Sequence, residues 1–153
     1  MTITSSIMRV SIGLLSVGVA TFGLVVPASA FTMRKGNTFN GYSLSPNRCF
    51  ELHNQNGNYV IKNRATLDVM WQSGTSGSQT MLRFQPDGNL VVYDESRKQG
   101  SKRKSLWASG TDRKTGTIVK LQNDGNFVMY DRSNRPIWAT DKFDASYWDQ
   151  KCR

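Results

Sequence analysis

The sequence is short of the residues that enzymes and metalloproteins most often use. Its 153 residues include one histidine, His53, and two cysteines, Cys49 and Cys152. One histidine supports no Ser/His/Asp or Cys/His arrangement, and no ligand cluster has the spacing of a zinc site. We therefore expect a protein that is not an enzyme and that carries no metal or other cofactor.

Proline is also scarce, with four residues against 13 glycines, and no helical period is found after residue 30. The one long apolar run lies at the start of the chain, and no later stretch is long enough to cross a bilayer. Short alternating runs separated by turn residues are typical of all-β proteins. The sequence after residue 30 therefore predicts an all-β domain with short strands.

Residues 1–30 are predicted to be a signal peptide. Arg9 supplies a positive charge, residues 10–26 are largely apolar, and residues 27–30 (PASA) form a small-residue cleavage pattern. An uncleaved membrane anchor is the alternative, but the Ala-Ser-Ala ending favours cleavage after Ala30. We expect a secreted protein, either extracellular or periplasmic.

Acidic residues are fewer than basic ones, 11 against 20, which gives a formal net charge of +9. Five of the basic residues crowd into residues 97–104. The simplest interpretation is a solvated loop between strands, and the alternative is a docking site for an anionic cell-surface polymer such as polysaccharide or lipopolysaccharide, or for phospholipid. No aromatic residues are interleaved, so stacking on nucleic acid is not indicated.

A nine-residue phrase occurs twice in the chain. Residues 85–93 (QPDGNLVVY) return as residues 122–130 (QNDGNFVMY), and an apolar-Trp pair follows each. A weaker copy lies earlier, at residues 50–61, and Met70-Trp71 follows it. Three similar units, each too small to bury its own apolar face, predict pseudo-threefold packing.

Tryptophan occupies the equivalent position of each unit, as Trp71, Trp107 and Trp138. A binding groove could use such residues, but the residue before each one is apolar, which favours a place in the core. We expect the three indoles to pack near the pseudo-threefold axis.

Each full copy is predicted to form a β-hairpin, because Asp-Gly between alternating apolar runs is typical of a tight turn.

Alternation sorts each hairpin into an inward and an outward face. The inward residues are Leu82, Phe84, Leu90 and Val92 in one copy and Val119, Leu121, Phe127 and Met129 in the other. The outward residues are Gln85, Asn89, Val91 and Tyr93 in one copy and Gln122, Asn126, Val128 and Tyr130 in the other. The turn carboxylates of Asp87 and Asp124 join these patches. A solvated strand face is the simpler interpretation, but solvent exposure alone does not dictate the same four polar residues twice, so the sequence favours a binding site.

The pattern Gln-x-Asp-x-Asn-x-Val-x-Tyr with intervening Trp resembles that of the bulb-type (monocot-type) mannose-binding lectins. The resemblance runs from about Gly36 to Asp141 and includes Leu44-Ser45-Pro46 and the Trp-x-Ser-Gly-Thr stretches at residues 71–75 and 107–111. It implies a β-prism II fold, with three four-stranded antiparallel sheets around a pseudo-threefold axis. It also implies one lectin domain at residues 31–153, with repeats at about 44–75, 76–111 and 112–141 and a C-terminal tail at 142–153.

In that family, Asp and Asn bind the axial 2-hydroxyl of mannose, Gln the 3-hydroxyl and Tyr the 4-hydroxyl, and Val packs against ring carbons. The resemblance therefore implies a non-enzymatic lectin for mannose or mannose-rich glycans, with two intact sites. One site consists of Gln85, Asp87, Asn89, Val91 and Tyr93, and the other of Gln122, Asp124, Asn126, Val128 and Tyr130. Asp87 and Asp124 are expected on different sheets, too far apart for the paired carboxylates of a glycoside hydrolase.

The first repeat departs from the family pattern. Counted back from Asn58, it has Asn54 where Gln is expected and Asn56 where Asp is expected, and Lys62 replaces the Tyr. Its apolar residues Phe50 and Leu52 are also one residue out of step. This site is expected to be inactive or altered.

Two further expectations concern the ends of the domain. A secreted chain allows disulfides, and a Cys49–Cys152 bond would tie the tail to the first repeat, with intermolecular pairing as the competitor. The tail is aromatic and is a candidate segment for homodimer exchange, with folding back on its own domain as the alternative. A cationic defence or bacteriocin-like interaction module, acting through residues 97–104, is the alternative function.

Overall fold

The chain folds as three β-sheets of four strands each. A computed structural model describes residues 30–96 and 103–141. No helix long and apolar enough to cross a membrane is found among these residues. The twelve strands are β1 (Thr32–Arg34), β2 (Thr38–Phe39), β3 (Tyr42–Leu44), β4 (Phe50–Gln55), β5 (Asn58–Asn63), β6 (Val69–Gln72), β7 (Thr80–Phe84), β8 (Leu90–Asp94), β9 (Lys104–Ala108), β10 (Ile118–Leu121), β11 (Phe127–Tyr130) and β12 (Pro136–Ala139).

All sheet pairings are antiparallel. Sheet I has the order β3-β4-β5-β6, sheet II β2-β7-β8-β9 and sheet III β1-β10-β11-β12. The expected all-β class and its three four-stranded antiparallel sheets are confirmed.

The first strand of each sheet comes from the segment before the repeats. β1 pairs with β10, β2 with β7, and β3 with β4. Each repeat therefore supplies only three strands, and residues 32–44 visit all three sheets in turn. The repeat analysis did not predict this arrangement, because these short strands carry no copy of the motif.

The hairpin turns of sheets II and III follow the sequence prediction. In each, a turn of three residues ends on a glycine with positive φ, 95° at Gly88 and 83° at Gly125. The backbone N–H of Gly88 donates to the carbonyl of Gln85 at 3.0 Å, so Pro86 occupies the second turn position, where its fixed φ is suited.

The hairpin of sheet I has a turn one residue shorter. Asn56 and Gly57 form the turn with φ of 50° and 92°, and Gln55 pairs directly with Asn58. Two residues with positive φ are typical of a type I′ hairpin. Because this turn lacks one residue, Phe50 and Leu52 lie one residue nearer to Asn58 along the chain than their counterparts lie to Asn89 and Asn126.

The inward faces of the three sheets form one core. All eight residues predicted to point inward from the two full motifs are at most 1% exposed, and Phe50, Leu52, Tyr59 and Ile61 complete the set from sheet I. The segment before the repeats adds Phe31 and Met33, which the sequence analysis did not identify.

The three tryptophans pack against this core, as predicted. Trp107 lies between the other two, with ring centroids 5.3 Å from Trp71 and 6.1 Å from Trp138. Phe127 contacts both outer indoles, at 6.4 and 6.3 Å. One aromatic cluster therefore joins all three sheets.

Contacts at the hairpin turns also link the sheets. A Cβ at Gly125 would lie 2.7 Å from the Phe50 ring, so the third hairpin packs tightly against the first strand pair. A Cβ at Gly88 would lie 2.6 Å from the backbone carbonyl oxygen of Lys114. Each glycine is needed for its positive φ and for this close approach.

Several expectations fall on residues outside the described ranges. They are the signal peptide up to residue 29, most of the basic segment (97–102), and the tail from residue 142, which includes Cys152. Cys49 itself is buried in the core. The Cys49–Cys152 bond stays a prediction.

Tyr59 provides a test of the packing between sheets I and II. Its buried hydroxyl accepts the Leu82 N–H at 2.9 Å and donates to the Phe39 carbonyl at 3.0 Å, and both partners lie in sheet II. Tyr59→Phe leaves these buried groups unpaired, so we expect the free energy of unfolding to fall by about 1–3 kcal/mol in urea denaturation. Tyr42→Phe, at a side chain 52% exposed, is the control and should cost less than about 0.5 kcal/mol. Equal losses in the two variants would contradict this role.

Candidate functional site

Two polar patches lie at the hairpin ends of sheets II and III. We call them patch II and patch III. Patch II consists of Gln85, Asp87, Asn89, Val91 and Tyr93 and patch III of Gln122, Asp124, Asn126, Val128 and Tyr130. The structure brings the five predicted residues of each patch to one hairpin, and it keeps the two patches on different sheets.

The glutamine and the tyrosine of each patch are hydrogen-bonded to each other. Gln85 Nε2 donates to the Tyr93 hydroxyl at 2.9 Å, and Gln122 Nε2 donates to the Tyr130 hydroxyl. Each hydroxyl accepts this bond, so its own proton is left to donate outward. Burial, and then the nearby Asp124 carboxylate, raise the pKa of Tyr130 above its ordinary value.

A β-bulge lies opposite each tyrosine. The register shifts between Val92 and Tyr93 and between Met129 and Tyr130, and the extra residue is on the partner strand, Leu106 of β9 and Ile137 of β12. The bulged strand is therefore the one that carries the tryptophan, and the strand of the tyrosine has no inserted residue.

Each turn carboxylate folds back on its own hairpin. Asp87 Oδ1 accepts the Asn89 N–H, and Asp124 Oδ1 accepts the Asn126 N–H, both at 2.9 Å. This local bond uses one carboxylate oxygen and leaves the other to accept a bond from a ligand.

The asparagine is held by residues that the sequence analysis did not assign to the site. Asn89 Oδ1 accepts bonds from Ser109 Oγ and the Thr111 N–H, both at 3.1 Å. In patch III, Thr140 Oγ1 donates to Asn126 Oδ1 at 2.9 Å. With the carbonyl held, the amide NH2 group faces away from the sheet. The available signal was the Trp-x-Ser-Gly-Thr stretch, whose Ser and Thr make these bonds in sheet II.

The valines are not the exposed surface that strand alternation predicted. Val91 is 2% exposed and Val128 4% exposed. Each lies between a long basic side chain and an alanine across the strands, Arg83 and Ala108 in sheet II and Lys120 and Ala139 in sheet III. The stems of such basic residues cover apolar surface, so each valine is the buried floor of its patch.

The two basic side chains have different partners. The Arg83 guanidinium forms an ion pair with Glu95 at 2.7 Å, and Arg103 joins it at 3.0 Å. Burial opposes ionisation of Glu95, but the hydrogen bonds from the two arginines hold the pKa of its carboxyl below the usual value. The Lys120 ammonium instead lies 5.3 Å from the centroid of the Tyr130 ring.

A cavity of about 510 Å³ opens beside patch III. Gln122 and Asp124 line one side of it, and Phe31, Thr32 and Pro46 line the other. The neighbouring loop is held to sheet III by Asn47, whose N–H and Nδ2 donate to Asn123 at 2.8 and 2.9 Å. A ligand at patch III therefore has more protein surface within reach than the hairpin alone offers.

Sheet I carries an incomplete version of the patch, and its assignment from the sequence was wrong by one residue. Gln55, not Asn54, pairs with Asn58 and occupies the position of Gln85. The Asn54 side chain is part of the turn and of the contact with sheet II, since it accepts the Gly57 N–H at 2.7 Å and donates to Thr80 Oγ1 at 3.0 Å.

The same register shows which residues this patch lacks. Asn56 lies two residues before Asn58, as Asp87 does before Asn89, so an amide takes the place of the carboxylate. Lys62 follows the register shift after Ile61 and stands in the position of Tyr93, as expected.

Comparison with known proteins relates the whole domain to a family of lectins. No family model and no curated protein matches the chain. Among solved structures, the chain is 32% identical to a monomeric monocot mannose-binding lectin from Gastrodia elata. That match covers 76% of this chain and 100% of the lectin, with a TM-score of 0.60.

Two further structures extend the comparison. The mannose-specific agglutinin of snowdrop (Galanthus nivalis), solved with methyl-α-D-mannoside, is 29% identical over 74% of this chain and 97% of its own, with a TM-score of 0.52. A lectin from Marasmius oreades is 21% identical over 74% of this chain and 92% of its own, with a TM-score of 0.61, which supports the fold alone.

Ser109 provides a test of how patch II is positioned. Its hydroxyl accepts the Leu90 N–H at 3.0 Å and donates to Asn89 Oδ1. Ser109→Ala therefore removes the acceptor of the Leu90 N–H and leaves Asn89 Oδ1 with the Thr111 N–H alone. We expect a loss of about 1–2 kcal/mol in the free energy of unfolding and faster hydrogen exchange at the Leu90 amide. Ser78→Ala, in an exposed loop, should change neither quantity. Unchanged exchange at Leu90 in Ser109→Ala would contradict the assignment.

Proposed function

Because the chain belongs to the monocot mannose-binding lectin family, we propose that it binds mannose or mannose-rich glycans at patches II and III. The chain is a carbohydrate-binding lectin and not an enzyme. The proposal concerns the sugar that it recognises and the residues that bind it.

The observation that supports the proposal most is the recurrence of one atomic arrangement on two sheets. In both patches, the glutamine amide is bonded to the tyrosine hydroxyl, the turn carboxylate is bonded to a backbone N–H, and the asparagine carbonyl is held by a hydroxyl. Each patch is therefore preorganised, and a ligand does not have to order its side chains on binding.

The free atoms of each patch suit a sugar hydroxyl. A hydroxyl donates and accepts at once, so a carboxylate oxygen beside an amide NH2 group satisfies both roles. In patch II these groups belong to Asp87 and Asn89. The bond to the carboxylate is charge-assisted and therefore the stronger of the two.

The same pair of groups accounts for selectivity between mannose and glucose. The two sugars differ in the direction of the 2-hydroxyl, which is axial in mannose and equatorial in glucose. Groups fixed to meet the axial hydroxyl are left unpaired by the equatorial one, and sites of this kind reject the wrong isomer strongly.

Each shallow patch is expected to bind a single sugar weakly, at about −4 to −6 kcal/mol. Two patches on different sheets allow one molecule to bind two glycan chains. On a glycan-coated surface, this arrangement raises the overall affinity without any new contact.

Removal of both turn carboxylates tests the proposal. In Asp87→Asn/Asp124→Asn, an amide donor or a neutral carbonyl replaces the charged acceptor, so we expect the affinity for methyl α-mannoside to fall at least tenfold, as about 1.5–3 kcal/mol per charged bond implies. Isothermal titration of the unmodified protein should give two sites per chain, and methyl α-glucoside should not bind detectably.

A matched control removes the same charge elsewhere. Asp68 and Asp112 are exposed and lie outside both patches, so Asp68→Asn/Asp112→Asn should bind methyl α-mannoside like the unmodified protein. Full binding by the Asp87/Asp124 variant, with its fold intact, would show that the sites are assigned to the wrong residues.

We also propose that the chain is secreted and cleaved after Ala30. Among residues 30–96 and 103–141, Phe31 is the first that lies in the core, where it packs edge-on against Phe39 at 4.9 Å. Cleavage after Ala30 therefore leaves all core residues of these ranges in the mature domain. Intact-mass measurement of protein exported by a host cell should give a chain that begins at Phe31, and a retained residue 1–30 segment would contradict the proposal.

The alternative function depends mainly on residues outside the described ranges. Residues 97–102 of the basic segment and the tail from residue 142 belong to this group, so binding of an anionic cell-surface polymer and homodimer formation through the tail stay predictions. Arg103, at the described edge of the segment, is paired with Glu95.

A further inference from the structure

Sheet I keeps the frame on which patches II and III are built. Gln55 and Asn58 face each other at the hairpin base, as their counterparts do in the other sheets. Asn58 Oδ1 accepts bonds from Ser73 Oγ at 3.1 Å and the Gly74 N–H at 3.0 Å. Ser73 Oγ is bonded in turn to Thr75 Oγ1 at 2.8 Å, which matches the Ser109–Thr111 pair of sheet II.

The floor of the frame is also retained. Val60 is 1% exposed and lies between His53 and Gln72, as Val91 lies between its own cross-strand neighbours. The frame of sheet I therefore has its two amides, its buried valine and its supporting hydroxyls.

The groups that differ are those that would determine charge selectivity. Asn56 has an amide in place of the carboxylate, and Lys62 replaces the tyrosine hydroxyl with an ammonium group. Relative to patch II, a negative charge is lost and a positive charge is gained at equivalent positions. Gln55 Nε2, released from the missing tyrosine, is within hydrogen-bond distance of His53 Nε2 instead.

The Lys62 ammonium has no hydrogen bond or ion pair to any residue of the described ranges. Glu51 lies opposite Lys62 across the strand pair, but its oxygens are directed to other groups. They lie 3.7 Å from Arg64 Nε and 3.9 Å from His53 Nδ1. With Arg64 balancing Glu51, the charge of Lys62 remains for a ligand.

We propose that sheet I is a third saccharide site, and that it takes a hexose bearing a carboxylate, a hexuronic acid residue of an acidic glycan. One amide proton of Asn58 is donated to Gln72 Oε1 at 3.0 Å, so the second proton and the Gln55 amide bind ring hydroxyls over the Val60 floor. The Lys62 ammonium pairs with the sugar carboxylate. This site is separate from patches II and III and is independent of which neutral sugar they bind.

Two sugars that differ in one group provide the test. The methyl glycoside of D-mannuronic acid has the ring of methyl α-mannoside with a carboxylate in place of the 6-hydroxymethyl group. In Asp87→Asn/Asp124→Asn, we expect the mannuronoside to bind and to shift the side-chain amide NMR signals of Gln55 and Asn58. Methyl α-mannoside should leave these signals in place, and raising the salt concentration should weaken the mannuronoside.

Substitutions at Lys62 identify the group responsible. In the same background, Lys62→Gln should weaken the mannuronoside by about tenfold or more, because it removes a charged hydrogen bond. Lys62→Arg keeps the charge and should retain binding. Arg132→Gln removes an exposed positive charge elsewhere and is the matched control.

Three results would overturn this proposal: no mannuronoside shift at Gln55 and Asn58, equal shifts by both sugars, or equal weakening by Lys62→Gln and Arg132→Gln. A failure of the mannose proposal would be seen separately, as absence of methyl α-mannoside binding to the unmodified protein.

Addition of the methyl glycoside of glucuronic acid shows whether the site also depends on the 2-hydroxyl. Binding of both uronides supports recognition through the carboxylate.

Discussion

No sheet of this molecule can cover its own apolar face, and the rest of the structure follows from that constraint. Each sheet has four short strands and presents one row of large apolar side chains. The three rows are buried only against one another, with Phe127 and the three indoles in mutual contact between the sheets. The outward faces do not contribute to this common core, so each hairpin end can carry polar groups for a ligand.

Much of this architecture could be predicted from the sequence, because short-range patterns of strand alternation and turn residues indicate it. Alternation sorted Leu82 and Phe84 inward correctly, and the Asp-Gly pairs marked the turns. The first strand of each sheet could not be found in this way. A strand of two or three residues, such as Thr38–Phe39, has too few positions to show a period, and only its pairing with a distant strand defines it.

The positions of the motif residues were predicted better than their surroundings. All ten motif residues of patches II and III lie at the expected hairpins, but the burial of Val91 and Val128 depends on side chains from neighbouring strands that alternation does not describe. The assignment of Asn54 failed for a different reason. A fixed motif length was assumed, and the loss of one turn residue moved every position before it, so only the strand register could identify Gln55.

The order in which strands enter the sheets has a consequence for how the chain acquires its structure. Thr32, near the start of the described chain, pairs with Lys120, near its end. Sheet III therefore cannot be completed until β10, β11 and β12 have been synthesised, and β1 has no partner strand until then. Pairings between such distant segments give a high contact order, which slows folding.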